Sequence, residues 1–172
     1  LHKEYRRQRQ MCIRDSGRLM YELLLGEFSV QEGAVSRGYA IFLDAARRTG
    51  DPALYKRATE LALESRSGDA ALQAIEAWRR IYPQSREANR YLLQTLLALN
   101  RTAETQDVLR REIAATPLPE QPISILAIPQ LYVRASEKAL AARVVETALQ
   151  PSIAAGEPPV ACLLYTSPSP RD

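Results

Sequence analysis

The chain has 172 residues, enough for a domain with a substantial core, and its 23 Lys and Arg against 20 Asp and Glu give a formal net charge of +3. Its lone histidine is His2 and its two cysteines are Cys12 and Cys162, so residues 17–161 contain neither. That segment therefore excludes zinc sites of the Cys/His kind, Cys nucleophiles, His general bases and Ser-His-Asp triads, and disulfides that would report a redox compartment. No stretch is long and apolar enough to span a bilayer.

In chain order, the pattern predicts four helical pairs: 18–31 with 35–48, 52–65 with 68–81, 85–99 with 102–115, and 121–134 with 137–149. Gly33 falls where the first helix must stop, and glycine readily adopts the left-handed conformation found there. Asp51-Pro52 offers an N-cap followed by proline at the first helical position. Ser67-Gly68-Asp69 is a turn cluster, and Pro83-Gln84-Ser85 ends one helix and caps the next. Asn100 is placed to close the fifth helix and Thr102 to cap the sixth. "TPLPEQP" (Thr116 to Pro122) breaks the chain and lengthens a loop. Pro129 lies inside the seventh helix and should kink or shorten it. "GEPPV" (Gly156 to Val160) reads as a linker.

A 34-residue beat runs beneath these elements. Pro83, Pro117 and Pro151 fall on it in succession. Columns of small or apolar residues keep the same beat: Ala71, Thr105 and Ala139; Ala74, Val108 and Ala142; Ala58, Leu92 and Leu126; Ile81, Ala115 and Leu149. The earliest unit, "LGEFSVQEGAVSRGYAIFLDA", sets Gly38 three helical turns' worth of chain after Gly26, then Phe42 and Ala45. Without Cβ atoms, Gly26 and Gly38 allow two helices to approach closely, and Phe42 can fill the wedge beside them.

This spacing resembles the tetratricopeptide repeat, a helix-turn-helix unit with a Leu-Gly pair in its first helix and a small-x-x-x-Phe in its second. The resemblance implies an all-α fold: a right-handed α-solenoid of about four helical hairpins spanning residues 17–161. Departures are plain. Glu22 stands where the repeat often has Trp, Ser29 where it often has Tyr, and Trp78 where it usually has Ala. Arg143 interrupts the apolar column of Phe42, Ile75 and Leu109.

Both ends resemble something other than protein. "MCIRDS" (Met11 to Ser16) back-translates as ATG-TGT-ATA-AGA-GAC-AG, whose reverse complement, read in another frame, gives "CLLYTS" (Cys162 to Ser167). The pair resembles the transposon end used to prepare sequencing libraries, and "RRQRQ" (Arg6 to Gln10) and "PSPRD" (Pro168 to Asp172) resemble the adapters outside it. Residues 1–16 and 162–172 are accordingly expected to be adapter-derived, non-native and unstructured or adventitious, and are set apart from fold reasoning. They hold six basic residues (Lys3, Arg6, Arg7, Arg9, Arg14, Arg171) and three acidic ones (Glu4, Asp15, Asp172), which is the whole net charge. The basic balance is then no argument for nucleic acid or an anionic membrane.

Few residues within 17–161 invite chemistry. Glu60 and Glu64 lie four apart on one helix, a spacing far commoner on solvated faces than in carboxylate-pair catalysis. Arg47-Arg48, Arg79-Arg80 and Arg110-Arg111 are expected late in second helices, where cations complement the helix dipole. Neither catalytic residues, cofactor nor metal are expected. In the repeat family the first helices line a concave groove for partner peptides; carried over by position, the groove comprises Glu27 and Gln31, Lys56 and Glu60, then Arg90 and Gln94. Its mixed charge suits a protein or peptide partner and not nucleic acid.

The expected function is a non-catalytic protein–protein scaffold or adaptor. "LYKRATELALESRSGDAALQAIEAW" also resembles repeat lipoproteins of the proteobacterial envelope, which implies the periplasmic face of the outer membrane and a lipid anchor upstream of the segment. A cytoplasmic location is the alternative. The second functional reading is a docking or regulatory segment of a larger enzyme.

Overall fold

The computed structural model describes the backbone of residues 2–133 and 135–154 and side chains between 16 and 151 apart from residue 134. The described residues are all-helical, with no strand among them. They divide into two compact units, one ending at Pro83 and the other beginning at Gln84.

The first unit holds α1 (His2–Gln31), α2 (Val35–Thr49), α3 (Pro52–Glu64) and α4 (Gly68–Ile81). Each packs against its neighbour in sequence. The helices predicted at 35–48, 52–65 and 68–81 stand within one residue of those bounds. The start of α1 differs. Its backbone is helical from His2, so residues 2–16 are not unstructured. The stretch contains neither Gly nor Pro, and extending an existing helix costs much less than nucleating one.

Close approach of α1 and α2 depends on glycine. A Cβ on Gly26 would sit 2.9 Å from Phe42 Cε2, and one on Gly38 would sit 2.4 Å from Val30 Cγ2 and 3.1 Å from the Gly26 carbonyl oxygen. Phe42, Leu43, Ala45 and Ala46 complete the buried face of α2, and Tyr55, Ala58, Thr59, Leu61 and Ala62 that of α3. Asp51 caps α3 by accepting from the Ala53 amide at 2.8 Å, with Pro52 at the first position. Tyr39 Oη donates to the Ala70 carbonyl at 2.9 Å and so ties α2 to α4.

The second unit holds α5 (Arg86–Ala98), a 3-10 turn (Thr102–Glu104), α6 (Thr105–Ala115), α7 (Gln121–Tyr132) and α8 (Lys138–Ala154). Here α6 packs against both α5 and α8, and α8 also covers the 3-10 turn. Ser85 caps α5 by accepting from the Ala88 amide. Thr102 does not cap α6. It is buried in the 3-10 turn, where its carbonyl accepts from Thr105 Oγ1 at 2.6 Å. The same Thr105 hydroxyl meets Tyr132 Oη at 2.8 Å. Pro129 is accommodated within α7, which ends at Tyr132, and α8 continues through Pro151 to Ala154. "GEPPV" and "CLLYTS" lie outside the described residues.

Three first helices end in the same way. The residues at the left-handed position are Gly33 (φ 84°), Arg66 (φ 54°) and Asn100 (φ 57°). After each, the next amide reaches back over the last turn: Ala34 to Ser29, Ser67 to Ala62, and Arg101 to Leu96, at 2.8, 2.8 and 2.9 Å. This double-bonded C-terminal motif satisfies carbonyls the helix leaves open. Gly33 and Asn100 serve as expected. Arg66 takes the position just ahead of the Ser67-Gly68-Asp69 cluster, and Gly68 becomes the first residue of α4.

Burial repeats with the sequence beat, but only in part. Tyr55, Ala58, Thr59, Leu61 and Ala62 are matched one beat later by Asn89, Leu92, Leu93, Thr95 and Leu96, all buried. Ala71, Ala74 and Ile75 are matched in the same way by Thr105, Val108 and Leu109. The next step is longer by two positions. Asn89, Leu92 and Leu96 pass to Ile125, Ile128 and Tyr132, while Thr105, Val108 and Ile113 pass to Ala141, Val144 and Leu149. The columns of the sequence beat therefore fail at the last pair: Leu126, Ala139 and Ala142 are exposed. Arg143 is exposed as well, and Val145 takes its place in the Phe42 column. The Ile81 column is mixed, since Ile81 is 52% exposed while Leu149 is buried.

Candidate functional site

Glu27 projects from the last two turns of α1 toward α3. There Arg57 grips it with two parallel hydrogen bonds, Nε to Oε1 at 2.9 Å and Nη2 to Oε2 at 2.8 Å. The fork geometry is the strong form of a carboxylate–guanidinium contact. Phe42 lies beneath, its ring centroid 6.0 Å from the Arg57 guanidinium carbon, so the cation rests on an apolar face. Hydrogen bonding from Arg57 holds the Glu27 carboxyl below its ordinary range against the opposing effect of desolvation. The same bond raises Arg57 further. Glu64 stands 3.9 Å away on the other side of the guanidinium.

Of the groove residues expected from the sequence, Glu27 lies on α1 and Lys56 and Glu60 on α3, and Gln31 is exposed at the end of α1. Glu27 is committed to Arg57. Lys56 and Glu60 are partly exposed, and each has an interaction within the protein. Arg90 and Gln94 lie one helical turn apart on α5 in the second unit, both exposed.

Arg90 belongs to a second charge cluster. Its Nε donates to Glu112 Oε1 at 3.2 Å, and Arg86 Nε stands 3.8 Å from the same oxygen. Arg86 also reaches Glu120 at 3.5 Å and donates to Thr116 Oγ1 at 3.4 Å. Glu112 is well covered, with 14% of its side chain exposed, and its Oε2 has no hydrogen-bond partner. It sits one beat after Trp78, a fully buried core residue.

Sequence reasoning missed Arg57, Arg86 and Glu112. The signals were present but indirect. Arg57 follows Lys56 by one position and so lies about 100° around the helix, toward α1. Glu112 occupies a column that Trp78 marks as interior.

The remaining candidates resolve into surface ion pairs. Arg48 bonds Glu22 and lies 3.0 Å from Asp44, Arg110 pairs with Asp107 at 2.6 Å, and Arg18 pairs with Glu22 at 3.0 Å. Glu22 is lowered mainly by its bond to Arg48 and next by that to Arg18. Arg47-Arg48 and Arg79-Arg80 fall in the last turns of α2 and α4 as expected. Arg110-Arg111 do not, because α6 continues to Ala115 and carries no basic residue in its last turn.

An open groove of about 220 Å³ lies between Ile113, Leu118, Ala148 and Pro151 with Arg110 beside it; ordinary ligand pockets start at about 300 Å³. Among the described residues no cluster of three His, Cys, Asp or Glu side chains is arranged to hold a metal ion, and no helix is long and apolar enough to cross a membrane. No protein-family model matches the chain, and no curated protein matches it.

Proposed function

We propose that the chain is a non-catalytic protein–protein interaction scaffold of the tetratricopeptide type, its hairpins stacked as a right-handed α-solenoid. The observation that carries this reading is the burial pattern. Five buried positions of α3 return in α5 one beat later, and three of α4 return in α6. A repeat that keeps its interior in this way is built to stack on its own kind. The partner is a protein or peptide engaging the mixed-charge faces that carry Gln31, Lys56, Glu60, Arg90 and Gln94, with the Glu27–Arg57 pair as a rigid base. The resemblance to envelope lipoproteins favours a bacterial envelope adaptor, at the periplasmic face of the outer membrane.

The native segment in this proposal is 17–161, with 1–16 and 162–172 adapter-derived. Long-read sequencing of the source locus tests that part. Loss of the adapter codons supports it, and their persistence in the genome overturns it.

Affinity capture tests the scaffold reading. The full chain is expected to retain an envelope protein from a Gram-negative lysate, and the Lys56→Glu, Arg90→Glu double variant to lose it with unchanged helical circular dichroism. Equal capture by both proteins, or capture by neither, counts against this surface.

A further inference from the structure

We propose that α7 is a detachable element, which melts away from α6 and α8 as one unit while α5, the 3-10 turn, α6 and α8 stay folded, so that the second unit has a closed and an open state.

The helix is weak in itself. Its twelve residues run QPISILAIPQLY, and Pro129 inside it removes one backbone donor and crowds the carbonyl four residues earlier. Three of the twelve are β-branched isoleucines. None is charged, so no ion pair along the helix supports it. Neither end is firmly closed. Glu120 makes no side-chain capping bond, and Val133 after the last turn is right-handed at φ −53°, where α1, α3 and α5 end on a left-handed residue. A segment this short does not hold a helix alone, so leaving its seat means unfolding.

The seat is narrow. Ile125, Ile128 and Tyr132 are its buried residues, one stripe spaced i, i+3 and i+7, whereas α3 and α5 bury five and six residues. Where α5 buries Leu93 and Thr95, α7 presents Pro129 and Leu131, and both are exposed. Ile123 and Leu126 are 74% and 52% exposed as well.

The rest of the unit coheres without α7. Helix α6 packs directly on α5 and on α8, and α8 also covers the 3-10 turn, while α7 meets α6 and α8 only narrowly. Low-stability elements of this kind open separately from the body they rest on.

A polar clasp holds each end. At the start, Gln121 Nε2 donates to the Thr116 carbonyl at 3.1 Å, and Arg86 on α5 reaches Glu120 Oε2 at 3.5 Å and Thr116 Oγ1 at 3.4 Å. The two arginine contacts are long for a charged donor. At the other end, Tyr132 Oη meets Thr105 Oγ1 at 2.8 Å. Between the clasps only Ile125 and Ile128 anchor the helix, and opening uncovers both together with the Thr105 hydroxyl.

Hydrogen exchange of the full chain, followed amide by amide in native buffer and in sub-denaturing urea, tests the proposal. The amides of α7 should exchange about tenfold or more faster than those of α6 and α8. Their rates should barely respond to urea, because little surface is exposed in the opening, whereas those of α5, α6 and α8 should respond steeply. Tyr132→Phe should speed α7 exchange several-fold by removing one clasp. Pro129→Ala should slow it about tenfold or more by restoring the missing rung. Exchange of α7 at the rate and with the urea dependence of α6 and α8 overturns the proposal. So does opening of α6 and α8 together with α7 at low urea, and so does an α7 rate that Pro129→Ala leaves unchanged. No partner is needed for this measurement, so it stands or falls separately from capture through Lys56 and Arg90.

Discussion

A Cβ placed on Gly38 would stand 2.4 Å from Val30 Cγ2 and 3.1 Å from the Gly26 carbonyl, so the second helix of the chain touches the first through a residue with no side chain. The backbone oxygen cannot move aside without shifting α1. Gly38→Ala should therefore destabilise the protein by about 1–3 kcal/mol through overpacking. Gly17 is helical with open space around its Cβ position, and Gly17→Ala should be neutral or stabilising by up to about 1 kcal/mol. Denaturant midpoints of the two variants check the contrast. Equal effects would show that α1 and α2 are not held this closely.

Arg66 adopts the backbone conformation that Gly33 and Asn100 adopt at the ends of α1 and α5. A side chain with a full Cβ is disfavoured there by about 1 kcal/mol. Arg66→Gly should raise stability by several tenths of a kcal/mol up to about 1, the strain relieved exceeding the added freedom of the unfolded chain. Gly33→Ala should lower it by a similar amount. Thermal melts of the two single variants would settle the sign of each.

The Glu27–Arg57 fork should behave as a pH-dependent tie. Glu27 is depressed below its ordinary value of 4.5 in the folded protein. Its contribution is therefore fully present above that value and is lost as the pH falls through the folded pKa. Both side chains are partly exposed, so the coupling in a double-mutant cycle with Glu27→Gln and Arg57→Ala should be about 1 kcal/mol or less. The coupling should fade as the pH falls through the folded pKa and the carboxylate becomes protonated. A coupling that persists unchanged in acid would mean the pairing is not ionic.

Tyr132 carries the opposite signature. Burial pushes its phenol up from the ordinary 10.0, against a smaller opposing effect of its bond to Thr105. Ionisation is thus easier unfolded than folded, and stability present below about pH 10 is lost as the pH rises toward the folded pKa. Tyr132→Phe should cost about 1 kcal/mol at neutral pH by leaving the Thr105 hydroxyl with one partner fewer. It should also flatten the alkaline decline. Melting temperature measured against pH from neutral to strongly alkaline for both proteins provides the check.

Local signals made much of the all-helical plan legible in the sequence. Asp51-Pro52, Ser85, Gly33 and Asn100 each act within a few residues of themselves, and each does what its chemistry suggests. Arg66 was hidden because its conformation is imposed by the helix end and not preferred by the residue. Thr102 looked like a cap, but tertiary burial beside Tyr132 and Thr105 claimed its turn. The candidate groove was legible only as a set of positions. Whether Glu27 or Arg90 is available depends on Arg57 and Glu112, which lie on neighbouring helices and announce themselves through no local pattern. Met20, Leu24 and Phe28 have the spacing of a core face yet are exposed, because the side of α1 that is buried carries Gly26 and Ser29.

The lengthened connection between α6 and α7 has a consequence for what the chain can tolerate. Two extra residues inside a helix would turn everything beyond them by about 200° and send the inner face outward. Placed at 116–120, the same two residues leave Ile125, Ile128 and Tyr132 inside. That connection is where the chain keeps time with itself: it can gain or lose a residue and let the helices after it resume in phase. An insertion or deletion only a turn away, within α6 or α7, would set interior and surface out of step.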